Sequence, residues 1–123
     1  MRLKSHKDLV VFKSAIQLAL RIHELSKNFP SEEKYSLTDQ IRRSSRSIAA
    51  NIAEAFRKRR YPKAFISKLS DCEGEVAETQ VWLYFIETFN YLDSSVTNDL
   101  DAQYEHLLAQ FVTMIQSPEK WSM

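Results

Sequence analysis

Between Ser36 and Arg60 the chain reads SLTDQIRRSSRSIAANIAEAFRKRR, a stretch without Gly or Pro. Leu37, Ile41, Ile48, Ile52 and Phe56 recur at four- and seven-residue spacings, which places them on one face of an α-helix. On the opposite side Gln40, Arg43, Ser47, Asn51 and Glu54 form an orderly polar stripe. A third stripe carries Arg42 and Arg46 with Ala49 and Ala53, and reaches Arg60. Ser36 and Asp39 have the spacing of a variant capping box, so this helix is expected to start near Ser36. It is expected to run to about Arg60, where Tyr61-Pro62 breaks it.

The flanking segments read the same way. A helix from about Asp8 to Asn28 ends at Phe29-Pro30, because the residue before proline is pushed out of the helical region. Its apolar residues form two adjoining faces: Leu9, Phe12, Ile16, Leu20 and His23 on one, and Val11, Ala15, Leu18, Ile22 and Leu25 on the other. So wide an arc must be covered on two sides, by sister helices or by another subunit. After Pro62 a long helix to about Tyr91 buries Phe65, Leu69, Cys72, Val76, Thr79 and Leu83. Beside that stripe lies an acidic ridge, Asp71, Glu75 and Glu78, followed by Trp82, Phe85 and Phe89 off the core face. A capped turn, Asp93 to Asn98, leads into a last helix from about Thr97 to Gln116, with Leu100, Tyr104, Leu107, Leu108, Phe111 and Ile115 inward.

With 123 residues there is room for one domain, residues 1–123, and not for two. One Gly and three Pro are too few for the tight turns of a β-rich chain. The expected fold is therefore all-α, and four helices with short connections favour an antiparallel up-down-up-down four-helix bundle. One cysteine, Cys72, cannot close an intramolecular disulfide, and the opening MRLKSHKDLVV lacks the apolar core of a signal peptide. No window approaches the roughly 18 consecutive apolar residues of a membrane span. These features point to the cytoplasm and away from a membrane.

The net charge of +1 conceals a segregation. Residues 39–68 carry nine Lys/Arg against two Asp/Glu, whereas residues 69–123 carry one against ten. A chain divided in this way can bind polyanions through its basic part, mate basic and acidic surfaces of identical subunits, or neutralise itself within one monomer.

Catalytic constellations are missing. His6, His23 and His106 sit on different segments without metal-ligand spacing, so no metal site is expected and no cofactor is implied. The single Gly74 lies inside a helix, which leaves no glycine-rich phosphate loop. Cys72 falls on a core stripe and reads as a small buried hydrophobe rather than a nucleophile. What remains is a basic set, Arg42, Arg46, Arg57, Lys58, Arg59, Arg60 and Lys63, suited to phosphate contacts with little base specificity. The stripe Gln40, Arg43, Ser47, Asn51 and Glu54 reads as a structural polar network, since an Arg and a Glu on one face can satisfy one another if buried. An enzyme would require Glu54, Glu78 and an Arg to converge in a cleft.

Three runs carry a resemblance: Phe29-Pro30-Ser31-Glu32-Glu33-Lys34-Tyr35-Ser36-Leu37, then Gln40-Ile41-Arg42-Arg43-Ser44, then Ser47-Ile48-Ala49-Ala50-Asn51-Ile52-Ala53-Glu54-Ala55. Together they resemble the signature of the bacterial four-helix-bundle proteins, also called 23S rRNA intervening sequence proteins because some are encoded within insertions in large-subunit ribosomal RNA genes. The opening Asp8–Phe12 and the run Glu75–Gln80 fit the same pattern. Two positions depart from it: Ala49 where the family commonly has Pro, and Ala55 where it commonly has Gly. Ala55 favours helix continuation by up to about 1 kcal/mol, which extends the helix toward the basic run.

The resemblance implies a cytosolic four-helix bundle assembled as a ring-shaped homopentamer, with no established enzymatic activity. A related accessory protein of diversity-generating retroelements shares the architecture and binds a reverse transcriptase and nucleic acid through a basic surface; that analogy is at the level of the fold. A head-to-tail ring needs two different complementary surfaces, and this chain offers a basic and an acidic region. Trp82, Phe85 and Phe89, with the first helix, are the expected oligomer contacts. The expectation is a non-enzymatic homo-oligomeric binding or scaffold protein, with RNA or DNA, or a protein partner, as ligand. The alternative is a structural protein–protein module whose charges serve subunit assembly.

Overall fold

The computed structural model describes residues 3–121, and all regular structure among them is helical. The four long helices are α1 (Val10–Ser26), α2 (Leu37–Arg57), α3 (Pro62–Thr88) and α4 (Ser94–Gln116), with 3-10 turns at His6–Asp8, Ser31–Glu33 and Pro118–Trp121. Each helix packs on the next in sequence, and α1 closes on α4, without diagonal contacts. An up-down-up-down path through a four-helix bundle produces that neighbour order.

The apolar periodicity explains the interior. Leu37, Ile41, Ile48, Ile52 and Phe56 of α2 share one buried core with Phe65, Leu69, Cys72, Val76, Leu83 and Ile86 of α3 and Leu100, Tyr104, Leu107, Phe111 and Met114 of α4. Only one of the two apolar faces of α1 is fully covered. Val11, Ala15, Leu18 and Ile22 are buried, whereas Leu20 is 62% exposed and Phe12 and Ile16 are half-buried. Between α2 and α3 the helices approach over small side chains. Ser44 is buried there, and its Oγ lies 2.8 Å from Thr79 Oγ1, whose hydroxyl donates to the Glu75 carbonyl. Apolar surroundings push the Cys72 thiol up to about 12, so it stays protonated and packs as a hydrophobe.

Several helix ends differ from the sequence expectation, α1 spanning Val10–Ser26 rather than Asp8 to Asn28. The Ser36/Asp39 capping box does not form: Ser36 Oγ instead donates to Glu33 Oε1 (2.6 Å), which also receives the Leu37 amide (3.4 Å). Helix α2 stops at Arg57 rather than Arg60, because the Lys58 amide is shared by the carbonyls of Glu54 and Ala55 and the Arg59 amide tightens onto Phe56. Helix α3 ends at Thr88, not Tyr91, where Asn90 adopts a left-handed conformation (φ 60°) and the Tyr91 amide reaches back to the Ile86 carbonyl. Helix α4 starts at Ser94, three residues early, since Asp93 accepts from the Ser95 amide and caps it. Gly74 sits mid-way along α3, and a Cβ built there meets no atom within 4 Å.

Candidate nucleic-acid interface

The basic residues fall into two groups separated along α2. Arg46 and Arg57 are eleven residues apart, about 16 Å at 1.5 Å per residue. The first group lies on the outer face of the first half of α2, and all its members are engaged. Arg42 reaches the C-terminus of α1, where Nε donates to Ser26 Oγ (2.8 Å) and Nη2 to the His23 carbonyl (3.5 Å). There it meets the partial negative charge of a helix end. Arg46 Nη2 lies 3.0 Å from His23 Nδ1. A guanidinium has no acceptor, so the imidazole nitrogen must accept. Arg43 pairs with Glu78 of α3 and donates to Gln40 Oε1 (3.2 Å).

Arg43 and Glu54 of the polar stripe on α2 are thus each paired with α3 rather than with one another. Lys68 of α3 bridges three groups: Asn51 Oδ1 (3.1 Å), Glu54 (3.1 Å) and Asp71 (3.5 Å). The hydrogen bond to Glu54 is the main reason its ammonium is held above the usual lysine range. Ser47 turns back onto the Arg43 carbonyl (2.9 Å). The stripe is also not buried, for the Arg43 and Glu54 side chains are 48% and 56% exposed. Burial first, and then the neighbouring Glu78, raise the Glu75 carboxyl on the same seam. Glu54 and Glu78 are occupied by different cations, so they do not converge on one arginine. Among the described residues no cluster of His, Cys, Asp or Glu could hold a metal ion.

The second group occupies the turn from α2 to α3. Arg57, Lys58, Arg60 and Lys63 are exposed and make no ion pair or side-chain hydrogen bond with any described residue. Arg59 differs: its guanidinium lies over the Phe56 ring at 3.6 Å and donates to the Phe56 carbonyl (3.1 Å). The 3-10 turn His6–Asp8 packs against the same end of the bundle through His6, whose ring lies 4.8 Å from Phe12 and 6.5 Å from Phe56. It brings Lys4 and Lys7, both exposed, to the side of the basic turn. Reading the basic run alone missed them, because they lie about fifty residues away in sequence.

The opposite end of the bundle is aromatic. Phe85, 41% exposed, contacts Trp82 (6.2 Å), Tyr84 (6.5 Å) and Phe89 (6.0 Å). Phe89, 50% exposed, continues to Tyr91 (5.4 Å) and through it to Phe29 (5.9 Å). The Tyr91 hydroxyl donates to Glu33 (2.9 Å) and ties the α3–α4 turn to the start of α2. A second apolar area lies between α1 and α2, where Ile16, Ala19, Leu20, His23, Arg46 and Ala49 line a cleft of about 290 Å³. No described helix is long and apolar enough to cross a membrane.

Comparison with known proteins adds two findings. The family model described as 23S rRNA-intervening sequence protein matches residues 7–113. A crystal structure of a protein of unknown function from the S23 ribosomal protein family of Bacteroides thetaiotaomicron is similar, with a TM-score of 0.78 and 29% sequence identity over 87% of this chain and 96% of that one. No curated protein matches the chain.

Proposed function

The chain belongs to the 23S rRNA-intervening sequence protein family, and from that premise we propose that it is a non-enzymatic, cytoplasmic, oligomeric scaffold that contacts nucleic-acid phosphates, or a nucleic-acid-associated protein, through the basic end of its bundle. One observation carries the reading: Arg57, Lys58, Arg60 and Lys63 stand exposed and unpaired among the described residues, while Arg42, Arg43, Arg46 and Lys68 are all engaged. Unpaired cations on a turn are hydrated, and when they neutralise the phosphates of a polyanion its condensed counterions are released into bulk solvent, which favours binding. Without base-reading geometry such contacts are indifferent to sequence.

The aromatic end and the open face of α1 support self-association, for which the ring-shaped homopentamer is the assembly in view. Trp82, Phe85, Phe89 and Leu20 are its contact residues. A second reading, a purely structural interaction module, is favoured by the same exposed rings. There the basic turn is consumed against acidic groups of a neighbouring subunit.

The test is a salt series. The purified oligomer, its mass determined, is titrated with labelled RNA and DNA. Log affinity that falls linearly with log salt, and falls less steeply after Arg57→Ala, Arg60→Ala and Lys63→Ala together, establishes the phosphate contacts. Absence of binding even near about 50 mM salt, with a particle whose mass drops on Phe85→Ala and Phe89→Ala, leaves the structural module.

A further inference from the structure

The first basic group has a shape that the second lacks. On the outer face of α2, Arg42, Arg43, Arg46, Ser47, Ala50 and Asp39 surround a shallow, open cleft. Ala50 keeps its floor low. The charges around it are unequally balanced. Arg43 is neutralised by Glu78, but Arg42 and Arg46 are held by neutral acceptors: a serine hydroxyl, a backbone carbonyl and an imidazole nitrogen. Neither Arg42 nor Arg46 is therefore paired with a carboxylate, although Arg42 lies against the partial negative charge of the α1 C-terminus and Asp39 is an acid in the same lining. Their side chains are already fixed, so the conformational entropy of ordering an arginine is spent before any ligand arrives. Arg42 Nη1, and Nε and Nη1 of Arg46, have no partner among the described residues and retain donors for a ligand.

The geometry points to a binding site for a phosphate dianion, free or as a terminal phosphomonoester, in this cleft. Two arginines without a carboxylate partner suit a doubly charged anion, and the guanidinium forks match its tetrahedral oxygens. Ser47, now bonded to its own helix, can turn its hydroxyl toward the same anion. Because the cleft is open to solvent, the group to which the phosphate is esterified can extend outward. Two sources share this chemistry, free phosphate and the phosphorylated end of a nucleic-acid strand. The second source rests on the phosphate-contact reading above, whereas the site itself does not. Asp39 is the one lining group that opposes an anion, and it gives the site a distinctive test.

The experiment follows the arginine Nε–H resonances of the full chain by NMR as inorganic phosphate is added, with chloride at matched ionic strength as reference. The expected result is a saturable shift at Arg46 and Arg42 with phosphate alone. Arg46→Ala should weaken it about ten-fold or more, the size of a charge-assisted hydrogen bond. Asp39→Asn should strengthen it about two-fold or more by removing a like charge. Arg46→Ala is preferred because Arg42 also anchors α1. Phosphate shifts that merely follow those of chloride, or that survive Arg46→Ala unchanged, overturn the proposal. A second arm compares 5′-phosphorylated with 5′-hydroxyl oligonucleotides in the Arg57→Ala, Arg60→Ala, Lys63→Ala background. Preference for the phosphorylated end assigns the strand terminus as source, and equal behaviour assigns free phosphate. Failure of the salt series leaves the phosphate titration standing, and the reverse, so the two failures are separable.

Discussion

The arginines in the first half of α2 and the basic turn that ends it carry the same charge in different physical states. Arg42 and Arg46 are each anchored to a neighbouring helix by part of their donors, and Arg43 is paired with a carboxylate. Arg57 and Arg60 project from a short turn into solvent. The first group contributes to the fold and presents a shaped surface, whereas the second contributes little to the fold and presents a field. Counting positive charge does not distinguish these situations; the partners of each guanidinium do.

The comparison is most directly broken at the turn. Replacing Arg57, Arg60 and Lys63 together should lower the slope of log affinity against log salt by about 2.7, near 0.9 per lost phosphate contact. The melting curve should barely move. Arg42→Ala reverses the pattern. It strips Ser26 and the His23 carbonyl of a charged donor in a part-buried setting, and should destabilise the chain by about 1.5–3 kcal/mol in chemical denaturation. Arg57→Ala alone should stay within about 0.5 kcal/mol. Equal losses for the two would show that the groups are not distinct.

Glu78→Gln sharpens the division within the held group, since it frees Arg43 from its counter-charge. The pair is 48% and 32% exposed, so the expected loss is no more than about 1 kcal/mol. The smallest effect belongs to the aromatic end. The Ser36 hydroxyl first, and then that of Tyr91, hold the Glu33 carboxyl below its ordinary range, so its contribution is present above that range and is lost as pH falls through the lowered value. Tyr91 is raised by the same Glu33 contact, so its share is present below the ordinary tyrosine value and is lost as pH rises. Thermal midpoints of Glu33→Gln should therefore converge on those of the parent chain in acid, and separate toward neutrality.

The four helices were legible because burial here is mostly apolar, and apolar residues repeat at the period of the helix. Ile41, Ile48, Ile52, Leu69, Val76 and Phe111 lie where that periodicity places them. Ser44 and Ser45 were not legible as interior residues. A hydroxyl inside the bundle satisfies itself on a carbonyl or on Thr79, and hydropathy carries no trace of that. The end of α2 was misplaced for a related reason, since no Gly or Pro stands between Phe56 and Tyr61 to mark it. Glu33 displaced the expected Ser36/Asp39 cap because the 3-10 turn delivers its carboxylate to the Leu37 amide. At the site, the basic residues were visible as a list. Their division was not, because it depends on where α1 ends and on which α3 side chains face α2. Lys68 is the clearest omission: it counted toward the basic total, yet only its position across from Asn51 and Glu54 shows it binding the seam.

Gly74 bears on how such a bundle comes to be folded. It divides α3 into two halves of about a dozen residues, and isolated helices shorter than about 12–15 residues are marginal in water. The longest helix of the molecule is thus weakened as a nucleus at its middle, by about 1 kcal/mol relative to Ala, and relies the more on docking against α2 and α4. Because a methyl group at that position would meet only open space, Gly74→Ala would join the halves and add up to about 1 kcal/mol of helical propensity. The order of events would then shift from docking before coiling toward coiling before docking.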